Sequence, residues 1–179
     1  MPGRVLIVTD VQEGFTRKGN LASREMTAAI PRVRAVVEQE AGRGTPIVFT
    51  KDSHVEGDPE FEVFPPHCIV GTEEHDLVPE LREFEPRAAA VVHKRRYSAF
   101  FDTEMEHVLK DLTPEEVHIL GFCTDICVLH TTSDLRNRDY TVVVRKEGCE
   151  TFDGPGHPHL DVNRWALAHI ENVLGARVV

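Results

Sequence analysis

Short, nearly uninterrupted apolar runs, each followed by a helix-like stretch, constrain this chain more than any other feature. The runs occupy residues 5–8, 46–49, 89–92, 117–120 and 140–144, and residues 176–179 close the chain with a sixth. A strand with water on one face alternates apolar and polar residues, whereas a continuous apolar strand is covered on both faces. Helices are predicted between the runs. The first covers about 31–41, where Pro31 suits a first helical position, Val33, Val36 and Val37 share a face, and Gly42 and Gly44 stop it. A second starts at Thr103, with Glu106 completing a capping-box pattern. The others cover about 125–137 and 163–174. This alternation predicts an α/β fold, a three-layer α/β/α sandwich around a mostly parallel six-stranded sheet. No repeat, low-complexity tract or linker divides the chain, so one domain over residues 1–179 is expected.

Bulk properties remove several function classes. The formal charge of −10 argues against a nucleic-acid partner, which needs a concentrated basic surface. No apolar run approaches the roughly 20 residues that span a bilayer, so no membrane partner is expected. Nothing secretory precedes the first strand, and the cytoplasm is the expected compartment. Cys68, Cys123, Cys127 and Cys149 are then expected as free thiols. Cys123 and Cys127 are four apart. A catalytic dithiol normally has two intervening residues, and structural zinc needs a second Cys or His pair; neither pattern is present.

In open parallel sheets, ligands bind outside the carboxyl ends of the strands. Asp10, Asp52 and Lys94 end the first three strands, and Cys127 follows the fourth after a Gly and a Thr-Asp turn. A thiol on the first turn of a helix is drawn towards thiolate, which makes Cys127 a candidate nucleophile. Asp10 supplies a carboxylate able to take and return a proton, and Lys94 a charge to stabilise thiolate and developing oxyanion. One long connection, about 52–75, breaks the alternation. Asp52 and His54 share a side of the extended chain there, and Pro65-Pro66 stiffen the backbone before His67. Two imidazoles and a carboxylate suit zinc, iron or manganese. Glu60 offers a fourth ligand, with Glu62 and Glu56 as rivals.

Together these residues resemble the isochorismatase-like cysteine hydrolases, and within them the nicotinamidases. The matching stretches are Asp10-Val11-Gln12-Glu13-Gly14-Phe15, Thr50-Lys51-Asp52-Ser53-His54, Phe64-Pro65-Pro66-His67-Cys68, Lys94 with Tyr97-Ser98-Ala99-Phe100, and Thr124-Asp125-Ile126-Cys127-Val128. Trp165-Ala166-Leu167-Ala168-His169 through Leu174-Gly175-Ala176 is also similar to that group. The resemblance implies an Asp10–Lys94–Cys127 triad that hydrolyses nicotinamide to nicotinate and ammonia through a thioester. It implies an oxyanion hole from the backbone N–H groups of Cys123 and Cys127, with a cis peptide at Phe122–Cys123. A divalent ion, Zn²⁺ before Mn²⁺ or Fe²⁺, would sit on Asp52, His54, His67 and Glu60 and orient the pyridine ring. Phe15, Phe64 and Tyr97 would line the substrate site, and a homo-oligomer is expected. Other carboxamides or carbamoyl compounds are the alternative substrates, and a non-enzymatic metal or redox sensor the remote alternative. The chain departs from the family pattern at Gln12-Glu13-Gly14-Phe15, where many nicotinamidases have Gln-Asn-Asp-Phe. It departs again at Asp139, where glycine is common, and at 156–162, which has the look of an insertion.

Overall fold

A computed structural model describes residues 3–179. Its centre is a six-stranded sheet built from β1 (Arg4–Thr9), β2 (Ile47–Asp52), β3 (Ala90–Lys94), β4 (Glu116–Phe122), β5 (Val142–Glu150) and β6 (Arg177–Val178). The spatial order is β3-β2-β1-β4-β5-β6, and every neighbouring pair is parallel rather than most of them. Helices α1 (Glu13–Thr16), α2 (Arg24–Gly42), α3 (Met105–Leu112), α4 (Leu129–Arg136) and α5 (His159–Asn172) complete the sandwich. Val5 to Val8 of β1 and Ile47 to Asp52 of β2 are buried throughout, as expected for strands covered on both faces.

The strand order reverses between β1 and β4, the place where a doubly wound sheet opens a crevice. Thr9 is paired with Thr50 on one side and Gly121 on the other. A Cβ on Gly121 would meet the Thr9 carbonyl oxygen at 2.1 Å, and Gly121 has φ 124°. Only glycine permits that approach, and the β4–β5 register shifts at the same point. The Phe122–Cys123 peptide that follows is cis, as the resemblance implied.

Several predicted boundaries move. Helix α2 begins at Arg24 and runs through Pro31, instead of starting there. Ser23 is its cap, with Oγ accepting from the Met26 N–H at 3.3 Å. Met26, Ala29 and Ile30 are buried with Val33, and this burial offsets the cost of an interior proline, about 3 kcal/mol. Helix α3 starts at Met105. Thr103 Oγ1 accepts from the Met105 N–H, but Glu106 turns outward to Lys110 and Arg138, so no capping box closes. The 125–137 helix divides into a wide π turn, Thr124–Val128, closed by the Val128 N–H on the Cys123 carbonyl at 3.1 Å, followed by α4. Asp139 adopts the left-handed conformation that the usual glycine would take. Half of the apparent 156–162 insertion is the first turn of α5. The 52–75 connection carries two short 3₁₀ turns, Pro59–Glu62 and Glu73–His75.

Candidate active site

Asp10 leaves β1 with φ 52°, a left-handed conformation that aspartate tolerates, and its carboxylate is fully buried. Its Oδ1 accepts from Thr50 Oγ1 at 2.6 Å and its Oδ2 lies 2.8 Å from Lys94 Nζ. Lys94 ends β3 opposite Asp52 in the β2–β3 register. Its ammonium also reaches Asp52 Oδ1 at 2.5 Å and Cys127 Sγ at 3.5 Å. One buried cation therefore joins three groups delivered by different strand ends, as the chain pattern implied.

Burial works against the Lys94 charge, yet Asp10 and Asp52 carry its pKa well above the ordinary value. Burial pushes the Asp10 carboxyl up in spite of Lys94, and the Asp52 carboxylate adds to the rise. Burial likewise pushes the Cys127 thiol well above its usual range, which Lys94 offsets only in part. The thiolate expected at a helix start is thus opposed by burial. The thiol is buried, with Cys127 only 6% exposed where it meets the cavity, and burial disfavours its charged form. Cys127 stands beside the Asp10 carboxylate and the Lys94 ammonium, an arrangement suited to a nucleophile activated by proton transfer. All four cysteines are free and buried.

Asp52 faces two ways. Its second oxygen, Oδ2, lies 3.8 Å from His54 Nε2 and 3.8 Å from His67 Nε2. Glu60 Oε1 lies 3.8 and 3.9 Å from the same two nitrogens. Asp52, His54 and His67 bring donor atoms within 4.8 Å of one another, a spacing that suits one divalent ion, while Glu60 stands near both histidines but outside that mutual set. The buried His54 Nε2 has no hydrogen-bond partner, which an ion would satisfy. His67 Nδ1 is 2.9 Å from the Pro65 carbonyl oxygen, so it carries the proton and leaves Nε2 free to ligate. His54 Nδ1 lies 3.2 Å from Asp58 Oδ2, within ion-pair range of a carboxylate such as metal-bound histidines commonly face, although neither atom makes a hydrogen bond here. Burial and the Asp52 charge raise the Glu60 carboxyl; against burial, Lys94, His54 and His67 keep Asp52 low. Glu56 and Glu62, the rivals of Glu60, are exposed. Asp10, Asp52 and Cys127 also converge closely, but Lys94 already supplies the cation there.

Both clusters open on one cavity of about 390 Å³. Phe15, Phe64 and Tyr97 line it with Cys123 and Cys127. Phe15 and Phe64 pack on His67 with ring centroids 5.5 and 6.4 Å away, and Tyr97 packs on Phe64 at 6.4 Å. Three features escaped the sequence reading. Gln12 pairs its amide with the Asp52 backbone, Nε2 donating to the carbonyl at 3.0 Å and Oε1 accepting from the N–H at 2.7 Å. It thereby fixes the residue that serves both clusters. Arg96 holds Asp58 at 2.9 Å. Phe152 and Asp153, from the segment after β5, form another cavity wall.

A family model described as Isochorismatase domain matches residues 4–168. The chain is 42% identical over 144 residues to the uncharacterized isochorismatase family protein PncA of Bacillus subtilis (strain 168), covering 75% of each. The solved pyrazinamidase/nicotinamidase from Streptococcus mutans UA159 is 32% identical, with a TM-score of 0.89 over 98% of this chain and 99% of that one. N-carbamoylsarcosine amidase from Thermoplasma acidophilum is 28% identical, with a TM-score of 0.84 over 99% and 95%.

Proposed function

The chain belongs to the isochorismatase family, and we propose that within it this protein is an amidohydrolase that converts nicotinamide to nicotinate and ammonia. One observation carries the reading: Lys94 touches Asp10, Cys127 and Asp52, and Asp52 also belongs to the donor group it forms with His54 and His67. A nucleophile with its proton acceptor thus stands beside a site able to anchor an aromatic ring nitrogen. That second site gives nicotinamide its advantage over carbamoyl substrates such as the one named for the Thermoplasma relative.

In this reading Cys127 Sγ attacks the carboxamide carbon as its proton passes to Asp10. Lys94 stabilises the sulfur charge, and the backbone N–H groups of Cys123 and Cys127 receive the oxyanion. Asp10 returns the proton to the departing ammonia, leaving a thioester. Asp10 then takes a proton from the water that attacks the thioester carbon; the C–S bond breaks, nicotinate is released, and the proton returns to the Cys127 sulfur. Asp52, His54, His67 and Glu60 would hold one divalent ion, zinc before manganese or iron. When bound, it supplies a Lewis-acid position for the pyridine nitrogen. Phe15 and Phe64 offer ring faces for stacking, and Tyr97 closes the wall behind Phe64. The same proposal places the enzyme in the cytoplasm, in pyridine-nucleotide salvage, as a single-domain homo-oligomer.

Ammonia release from nicotinamide, N-carbamoylsarcosine and a small panel of amides tests the substrate. Nicotinamide should be turned over fastest, and removal of the ion by a chelator should abolish that preference. Normal turnover by a Cys127→Ala variant would end the mechanism.

A further inference from the structure

The segment after β5 is built more tightly than a connecting loop requires. Gly154 and His157 exchange backbone hydrogen bonds at 3.1 and 2.9 Å around Pro155-Gly156, with Gly156 at φ 75° in the position that favours glycine. The turn lays the His157 ring flat on Phe152, with centroids 4.0 Å apart and planes 6° apart. Phe152 and Asp153 form the cavity wall. His157 Nδ1 lies 2.9 Å from the Phe152 carbonyl oxygen, and Nε2 lies 3.0 Å from Asp125 Oδ2. Asp125 sits in the wide turn two residues before Cys127, and its other oxygen accepts from Thr151 Oγ1 at 2.6 Å.

Both partners of the imidazole are acceptors only. A neutral ring has one N–H and serves one of them; an imidazolium serves both. We propose that His157 is a positioning residue whose protonated ring locks the Phe152 wall of the cavity to the turn that carries Cys127. The charged groups around it agree on the sign. Asp125 faces it from the wide turn. Asp153, next to Phe152, is engaged by the His159 N–H and ring at 3.0 and 3.1 Å. Burial opposes the His157 charge, but Asp125 and the Phe152 carbonyl keep its pKa above the ordinary histidine value. The lock is therefore complete at low pH and opens as pH rises through that raised pKa.

The kinetic consequence rests on the amidase reading, whereas the structural one does not. The test is an NMR titration of the His157 ring and the Phe152 ring resonances, paired with KM and kcat for nicotinamide across the same pH range. His157 should titrate above about 6.5, the unperturbed value, and Asp125→Asn should lower its midpoint. The Phe152 signals should follow the same midpoint. KM should rise about tenfold through it while kcat changes less than about threefold, and His157→Gln should show the high KM at every pH. His157 titrating at or below the unperturbed value, Phe152 blind to that titration, or a His157→Gln enzyme with the wild-type KM and pH profile would each overturn the proposal. A chain that does not hydrolyse nicotinamide fails the amidase reading alone, and the NMR titration still decides the lock.

Discussion

Asp10 and Lys94 are equally buried and equally central, yet their removal should have opposite structural outcomes. Asp10→Asn deletes the proposed proton acceptor but also removes a charge that burial, and after it the Asp52 carboxylate, disfavours, and an amide oxygen can still accept from the Thr50 hydroxyl. Turnover should fall about 10²–10⁴-fold with thermal stability close to wild type, read by ammonia release and a melting curve. Lys94→Met instead leaves Asp10 and Asp52 facing each other without the cation between them. It should cost about 3–5 kcal/mol by urea unfolding as well as activity. A Lys94→Met protein as stable as wild type would mean that one carboxylate was already neutral. Asp10 and Lys94 were legible because a polar residue at the end of an apolar strand is a local pattern, and Cys127 because a cysteine in the turn just after one is nearly as local. Gln12, Asp58 and His157 were not, since each is defined by a partner far along the chain or across a turn, such as Asp52 forty residues from Gln12.

At the scale of elements, the end of β4 and the 52–75 connection position the chemistry, and each can be tested apart from turnover. Gly121→Ala places a methyl group against the Thr9 backbone in a conformation that alanine avoids. The loss should be about 3 kcal/mol, or about 6–12 °C in Tm. Gly42→Ala meets nothing within 4 Å at the last position of α2 and should be neutral or slightly stabilising. The connection should be tightened by its ion. Zinc at about 100 times its Kd should add about 2.7 kcal/mol, or about 5–10 °C, and His54→Ala should erase that shift. Equal melting temperatures with zinc and with chelator would remove the metal assignment. Strand identity was readable because continuous apolar runs have one interpretation in this alternation. The start of α2 was misread because Pro31 imitates a first-turn proline, while the working signal was the quieter Ser23 cap eight residues earlier. The split of the 125–137 helix depends on how Cys123 meets β1 and β4, which no periodicity encodes.

Across the whole molecule, the carboxyl ends of the strands carry the chemistry, and the opposite end is held by a buried carboxylate with no part in it. Glu40, near the end of α2, is inaccessible to water and takes Arg43 at 2.7 Å, Arg145 of β5 at 3.5 Å, Arg4 of β1 at 3.6 Å and the Thr45 hydroxyl at 2.7 Å. It thus joins the helix to two strands and to the turn into β2. Burial alone would raise its pKa, but Thr45, Arg43 and Arg4 bring it below the ordinary glutamate value. A lowered native pKa means that the unfolded chain binds the proton more readily. The contribution is therefore present above the unfolded value of about 4.3 and disappears as pH falls through the native one. Glu40→Gln should cost about 2–3 kcal/mol at neutral pH. That is less than a fully buried pair, because the Arg4 and Arg43 side chains remain 41% and 51% exposed. Melting curves of the two proteins should converge as pH drops below about 4, while kcat and KM of the folded variant stay at wild-type values at every pH. A stability gap that persists undiminished in acid would show that packing, not charge, holds this end of the sheet. A fall in kcat would show that the two ends are mechanically coupled through β1.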